Sequence, residues 1–77
     1  MTKPEFLSMF GEIVQVDPRT LTGTESLTDL KNWDSLSVVV FLAQAEVEHS
    51  VSLCREEILR CNTVDDLSGL LESRMHA

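Results

Sequence analysis

The feature that most constrains the fold is a long apolar stretch near the middle of the chain, which begins directly after Trp33-Asp34. Asp34 is a favourable N-cap, because its carboxylate can accept a hydrogen bond from a free backbone N–H of the first helical turn. The spacing of the apolar residues predicts a helix over residues 35–49. A first apolar face holds Val38, Phe41, Leu42, Ala45 and His49, with Val39 at its edge, and a second holds Leu36, Val40, Ala43 and Val47. A helix with two apolar faces needs two surfaces to bury them against, which are its own core and a partner or bound chain.

The borders between these two faces are polar. Ser37, Gln44 and Glu48 separate them on one side, and Glu46 lies on the other. Ser35 is predicted to lie in the first turn, where its hydroxyl is near the surface and can be approached by another enzyme. The positive end of the helix dipole favours a negative group, such as a phosphate, attached there. We therefore interpret Ser35 as a residue that is modified.

The N-terminal segment predicts another helix. Thr2 is a suitable N-cap, Glu5 completes a capping box, and Pro4 is tolerated in the first turn. Asp17-Pro18 is expected to end the helix, because the residue before a proline is pushed out of the helical region. The apolar face is expected to hold Phe6, Phe10, Ile13 and Val14, with Leu7 and Met9 at its margins.

A long loop, residues 17–33, is predicted between these two helices, because the segment is rich in Thr, Asp, Ser and Gly. Such a loop is unusual in a compact domain and is often functional. We expect Leu21, Leu27 and Leu30 to hold it over the core, and Trp33 to anchor its end there.

Two further helices are predicted in the C-terminal part. A short one covers residues 55–60, with Ile58 and Leu59 facing inward, and Thr63 with Asp66 caps the last one. The inner face of the last helix is expected to hold Val64, Leu67, Leu70 and Leu71. The sequence thus predicts an all-α fold, a small four-helix bundle of three main helices and one short helix, in a single domain over residues 1–77.

The charge balance restricts the partners. Thirteen acidic and six basic residues give a net charge of −7, which argues against nucleic-acid binding, since phosphate backbones need a basic face. Partners with basic patches are favoured instead. We expect the protein itself to be an acidic monomer. No apolar stretch is long enough to span a bilayer, and no signal-peptide core follows the N-terminus, so we expect a cytoplasmic protein that binds no membrane.

The sequence offers no candidate catalytic or metal centre. Neither His49 nor His76 follows a nucleophile in a recognisable motif, and the three glycines are scattered. Cys54 and Cys61 do not have zinc-knuckle spacing; a disulfide between them is conceivable but disfavoured in a reducing compartment, and we interpret them as semi-buried free thiols. We therefore expect no metal and no enzymatic activity of the chain's own.

The run D-S-L-S-V-V-V-F-L-A-Q-A-E-V-E-H-S-V-S-L, which begins at Asp34, resembles the second helix and following loop of acyl carrier proteins. Val16-Asp17-Pro18 with the leucines of the long loop is similar to the first loop of that family. The segment from Thr63 to Leu67 is similar to the start of its last helix. The resemblance covers nearly the whole chain and implies the acyl-carrier fold.

The resemblance also implies a cofactor and a site. In that family the serine of this motif receives a 4′-phosphopantetheine arm from coenzyme A, and the thiol of the arm carries acyl groups as thioesters. The attachment residue here would be Ser35, with Asp34 and Leu36 as the flanking residues that a phosphopantetheinyl transferase meets. The other implied partners are an acyltransferase or ligase, and synthase or tailoring enzymes. They would supply the chemistry, with the reactive thiol coming from the cofactor.

The second helix departs from the family pattern at two positions. Many members have an acidic residue where this chain has Val40, and an aromatic residue where it has His49. The first difference suggests an apolar docking face made of Leu36, Val40, Ala43 and Val47, with Glu46 and Glu48 as a secondary charge filter. We interpret His49 as a structural or partly exposed residue near the helix end.

The motif Trp33-Asp34-Ser35-Leu36 is more typical of carriers in polyketide or other specialised metabolism than of carriers in fatty-acid synthesis. Two alternatives stay open. An aminoacyl or peptidyl carrier of a nonribosomal pathway would share the fold, although such carriers usually have a glycine pair before the serine. A helical module that binds partners without being modified would also explain the second apolar face.

Overall fold

The computed structural model describes residues 2–75 and contains four helices. These are α1 (Lys3–Val14), α2 (Ser35–His49), α3 (Arg55–Leu59) and α4 (Val64–Met75). Within residues 2–75 the only strand-like pairing is an isolated bridge between Ser26 and Thr63. The prediction of an all-α bundle with three main helices and one short helix is therefore confirmed.

The capping signals define where the helices begin. The side chain of Thr2 accepts from the Glu5 backbone N–H at 3.3 Å, and the Glu5 carboxylate accepts from the Thr2 N–H at 3.1 Å. At α4, the Thr63 hydroxyl accepts from the Asp66 N–H at 3.2 Å, and Asp66 accepts in return from the Thr63 N–H at 3.1 Å. Each reciprocal pair satisfies two backbone donors that have no partner within the helix.

The predicted end of α1 at Asp17-Pro18 was wrong, because the helix ends at Val14. Gln15 adopts a left-handed conformation with φ 59°, and the Val16 N–H turns back to the Gly11 carbonyl at 3.0 Å. These bonds close the helix before the proline is reached. Asp17 instead caps a short 3-10 turn over Pro18–Thr20.

The long loop is held over the core as predicted. Leu21 and Leu27 are buried and Leu30 packs against the core. Backbone hydrogen bonds also join the loop to the segment before α4, from the Leu27 N–H to the Asn62 carbonyl at 2.8 Å and from the Val64 N–H to the Glu25 carbonyl at 3.2 Å. The loop is therefore fixed by both apolar contacts and backbone pairing.

An aromatic cluster lies at the centre of the core. The Phe41 ring lies 6.1 Å from those of Phe6 and Trp33, and the Trp33 ring lies 5.4 Å from that of Phe10. Trp33 thus anchors the end of the loop on the core, as predicted. The core contains Phe6, Met9, Phe10, Val14, Leu21, Leu27, Val38, Phe41, Ala45, Val51, Ile58, Val64, Leu67 and Leu71.

Two apolar side chains of α1 and α3 are not where the sequence places them. Met9, predicted at the margin of the α1 face, is buried in the core. Ile13 is partly buried and packs against the core, on the face where it was predicted. Leu59 was predicted to face inward but is exposed, while its neighbour Ile58 is buried. Adjacent residues of a helix point about 100° apart, and the core lies on the Ile58 side of α3.

Candidate functional site

The beginning of α2 is fixed by Asp34. Its carboxylate Oδ1 accepts from the Ser37 backbone N–H at 3.0 Å, so the predicted N-cap is confirmed. This hydrogen bond lowers the pKa of the Asp34 carboxyl below its usual value, because it stabilises the ionised form. The cap is consequently charged at neutral pH.

Ser35 is the first residue of α2, and it is exposed. The first turn of a helix directs backbone N–H groups towards its N-terminal end, where the helix dipole is positive. A hydroxyl exposed in this place can be reached by an incoming group and can react with it. A phosphate ester formed there would lie in a favourable field.

The sequence did not identify the role of Ser37. It was interpreted as a border residue between the two faces, but it is 7% exposed. Its hydroxyl donates to the backbone carbonyl of Asn32, and the Asn32 side-chain Nδ2 donates to the Val14 carbonyl at 2.8 Å. The end of α1, the end of the long loop and the first turn of α2 are thus joined by hydrogen bonds around Ser35.

The second apolar face of α2 lies on the surface. Leu36, Val40, Ala43 and Val47 are all exposed, and Val47 is 83% exposed. Val39 was predicted at the edge of the inner face, but it is 53% exposed and belongs to the outer one. Together these residues form what we call the outer stripe: Leu36, Val39, Val40, Ala43 and Val47.

A shallow groove of about 320 Å³ follows the outer stripe. It is lined by Val39, Val40, Ala43, Gln44, Val47 and Glu48. Glu46 and Glu48 are exposed beside it, so the apolar surface has acidic residues at its margin. The inner face of the same helix holds the buried Val38, Phe41 and Ala45, with His49 partly buried at its end.

The remaining titratable groups form no metal cluster in the part of the chain that the structure describes. Cys54 and Cys61 are free; Cys54 is exposed, contrary to the expected semi-buried thiol, and Cys61 is partly buried. Burial raises the pKa of the Cys61 thiol. His76 lies outside the described residues. None of the helices described is long and apolar enough to cross a membrane.

Comparison with known proteins identifies the family. No curated protein matches the sequence. The family model for the phosphopantetheine attachment site matches residues 4–71, which include all of α2 and most of the other helices. Members of this family are carrier domains to which the 4′-phosphopantetheine prosthetic group is attached. The chain therefore belongs to the phosphopantetheine attachment site family of carrier domains.

Proposed function

We propose that Ser35 is the attachment residue and that the chain is a single acyl carrier domain. The observation that carries this proposal is the exposed serine at the Asp34-capped N-terminus of α2, within the segment matched by the family. The arm is joined through a phosphate, and the N-terminus of a helix favours a phosphate. One core shared by all four helices supports a single domain.

The attachment reaction needs only one group from this chain. The Ser35 oxygen forms a bond to the β-phosphorus of coenzyme A. The bond between that phosphorus and the bridging oxygen breaks, and adenosine 3′,5′-bisphosphate leaves. The serine proton passes to a base of the transferase. The bound arm supplies a thiol, which holds acyl groups as thioesters, and the partner enzymes supply the chemistry that loads and uses them.

We place this carrier in polyketide or other specialised-metabolite biosynthesis. Support comes from the resemblance of Trp33-Asp34-Ser35-Leu36 to the form of the motif that is typical of such carriers. The acyl cargo would be identified by mass analysis of the carrier isolated from its host.

The test of this function is the intact mass of the protein after incubation with coenzyme A and a broad-specificity phosphopantetheinyl transferase. The expected result is a gain of one phosphopantetheinyl group, located at Ser35 by fragmentation of the peptide that contains it. A folded protein with no gain would contradict the proposal and favour a helical module that binds partners without modification.

The outer stripe is proposed as the docking face for partner enzymes. Its exposed valines offer apolar contact along a groove that starts one turn after Ser35, so a docked partner would be close to the arm. Burying exposed apolar side chains in an interface removes their surface from water, which favours binding. Glu46 and Glu48, together with the net charge of −7, attract basic residues at the margin and increase the encounter rate.

A single charge on the outer stripe should weaken partner binding and leave the fold intact. We expect Val40→Glu to lower kcat/KM with a cognate partner by about tenfold or more, because the new carboxylate has to be desolvated in an apolar contact. The free energy of unfolding should change by about 0.5 kcal/mol or less, as is usual for surface substitutions.

The matched control is Val16→Glu. Val16 and Val40 are both 36% exposed, but Val16 lies outside α2 and outside the groove. Partner turnover should be unchanged in this control. Equal turnover by Val40→Glu and wild type would mean that the outer stripe is not the docking face.

A further inference from the structure

Ser37 stands out because it is a polar side chain that is enclosed by the fold. Among the side chains of residues 2–75 it is the only polar one that is buried. A buried hydroxyl costs free energy unless it is hydrogen-bonded, and an apolar residue could fill the same space. When its bonds are made, a buried polar group fixes one particular geometry.

The hydrogen bonds of Ser37 close a short segment around the attachment residue. Its hydroxyl donates to the Asn32 carbonyl and lies 3.2 Å from the Asp34 carboxylate, which also accepts from the Ser37 N–H. The segment from Asn32 to Ser37 is therefore joined at its two ends. Ser35 lies inside this closed segment.

The closed segment is also fixed to the rest of the domain at two points. The Asn32 side chain donates to the carbonyl of Val14, the last residue of α1. That carbonyl accepts no hydrogen bond within the helix, so Asn32 satisfies it. The Trp33 ring packs on Phe10, and the Trp33 N–H donates to the Leu30 carbonyl at 3.2 Å. The segment therefore cannot rotate freely relative to α1.

We propose that Ser37 is a positioning residue for phosphopantetheine attachment, acting through Asn32 and Asp34 to hold Ser35 in the orientation that the transferase requires. This inference rests on the proposed function of Ser35. The oxygen of Ser35 has to approach the β-phosphorus opposite the bond that breaks, and reactions of this kind are sensitive to small displacements. A looser Ser35 would slow the chemical step, while the surface that the transferase binds would be preserved.

The experiment compares the kinetics of attachment in three variants, at a temperature well below the unfolding midpoint of each. Ser37→Ala removes the hydroxyl and is expected to lower kcat about tenfold, with KM for the carrier changed by less than about twofold. Ser37→Thr keeps the hydroxyl and should restore kcat to within about twofold of wild type. Thr63→Ala removes the comparable cap of α4, at the Asp66 N–H, and should leave kcat unchanged.

Amide hydrogen exchange of the unmodified protein gives a second reading that does not depend on the transferase. Exchange at the amides of Trp33, Ser37 and Val38 should be faster in Ser37→Ala than in wild type, and unchanged there in Thr63→Ala. Wild-type kcat in Ser37→Ala, or an equal fall in Thr63→Ala, would overturn the positioning role although Ser35 is still modified. A wild-type protein that gains no arm would overturn the proposed function itself, and the positioning role with it.

Discussion

Ser35→Ala should abolish attachment of the phosphopantetheine arm completely. The substitution removes the only atom that the proposed reaction takes from this residue, so the intact mass should stay that of the unmodified protein after incubation with coenzyme A and transferase. Alanine is well tolerated in a helix, and the cap is made by Asp34 and the Ser37 backbone, so α2 should still begin at residue 35. The free energy of unfolding should shift by about 0.5 kcal/mol or less.

The control is another exposed serine. Ser52 lies in the loop between α2 and α3 and is exposed, so Ser52→Ala should gain one arm like the wild type. A mass gain in Ser35→Ala would place the attachment at a different residue. Helical circular dichroism measured on the same samples would show whether a loss of modification has been caused by a loss of fold.

The parts of this molecule that the sequence predicts correctly depend on local interactions. The caps at Thr2, Asp34 and Thr63 each involve residues at most three positions apart, so their geometry is contained in the short segment itself. The end of α2 is also set locally, because the Ser50 N–H donates to the Glu46 carbonyl four positions before it. Local signals of this kind are enough to place Ser35 at the start of a helix.

Apart from the end of α1, the errors concern residues whose environment is decided by more distant parts of the chain. A helical wheel gives the direction of Val39, but whether that direction is buried depends on where α1 and the other helices pack. The same limit applies to Leu59, which has only one turn of helix around it. Ser37 was missed because its acceptor, the Asn32 carbonyl, is placed by the path of the long loop. A serine three positions after an N-cap gives no signal of such a bond in the sequence.

The second large effect is expected at Phe41, on the inner face of α2. Its ring is fully buried and lies 6.1 Å from both Phe6 and Trp33, so truncation would leave a cavity at the centre of the aromatic cluster. Phe→Ala in a core typically costs about 3–5 kcal/mol. Domains of this size usually have a total stability of only about 5–10 kcal/mol. Phe41→Ala should therefore lose a large part of its stability, measured by urea unfolding followed through Trp33 fluorescence and circular dichroism.

Val39→Ala is the matched comparison, because Val39 lies on the same helix two residues away but on the outer stripe. Its unfolding free energy should stay within about 0.5 kcal/mol of wild type, since alanine has the higher helix propensity and little packing is lost. If Phe41→Ala lowered the free energy of unfolding by less than about 1 kcal/mol, this would contradict the packing of the inner face of α2 against the core. The expected contrast means that the inner face of α2 maintains the fold, so the proposed docking of partners on the outer stripe would not depend on residues that stabilise the domain.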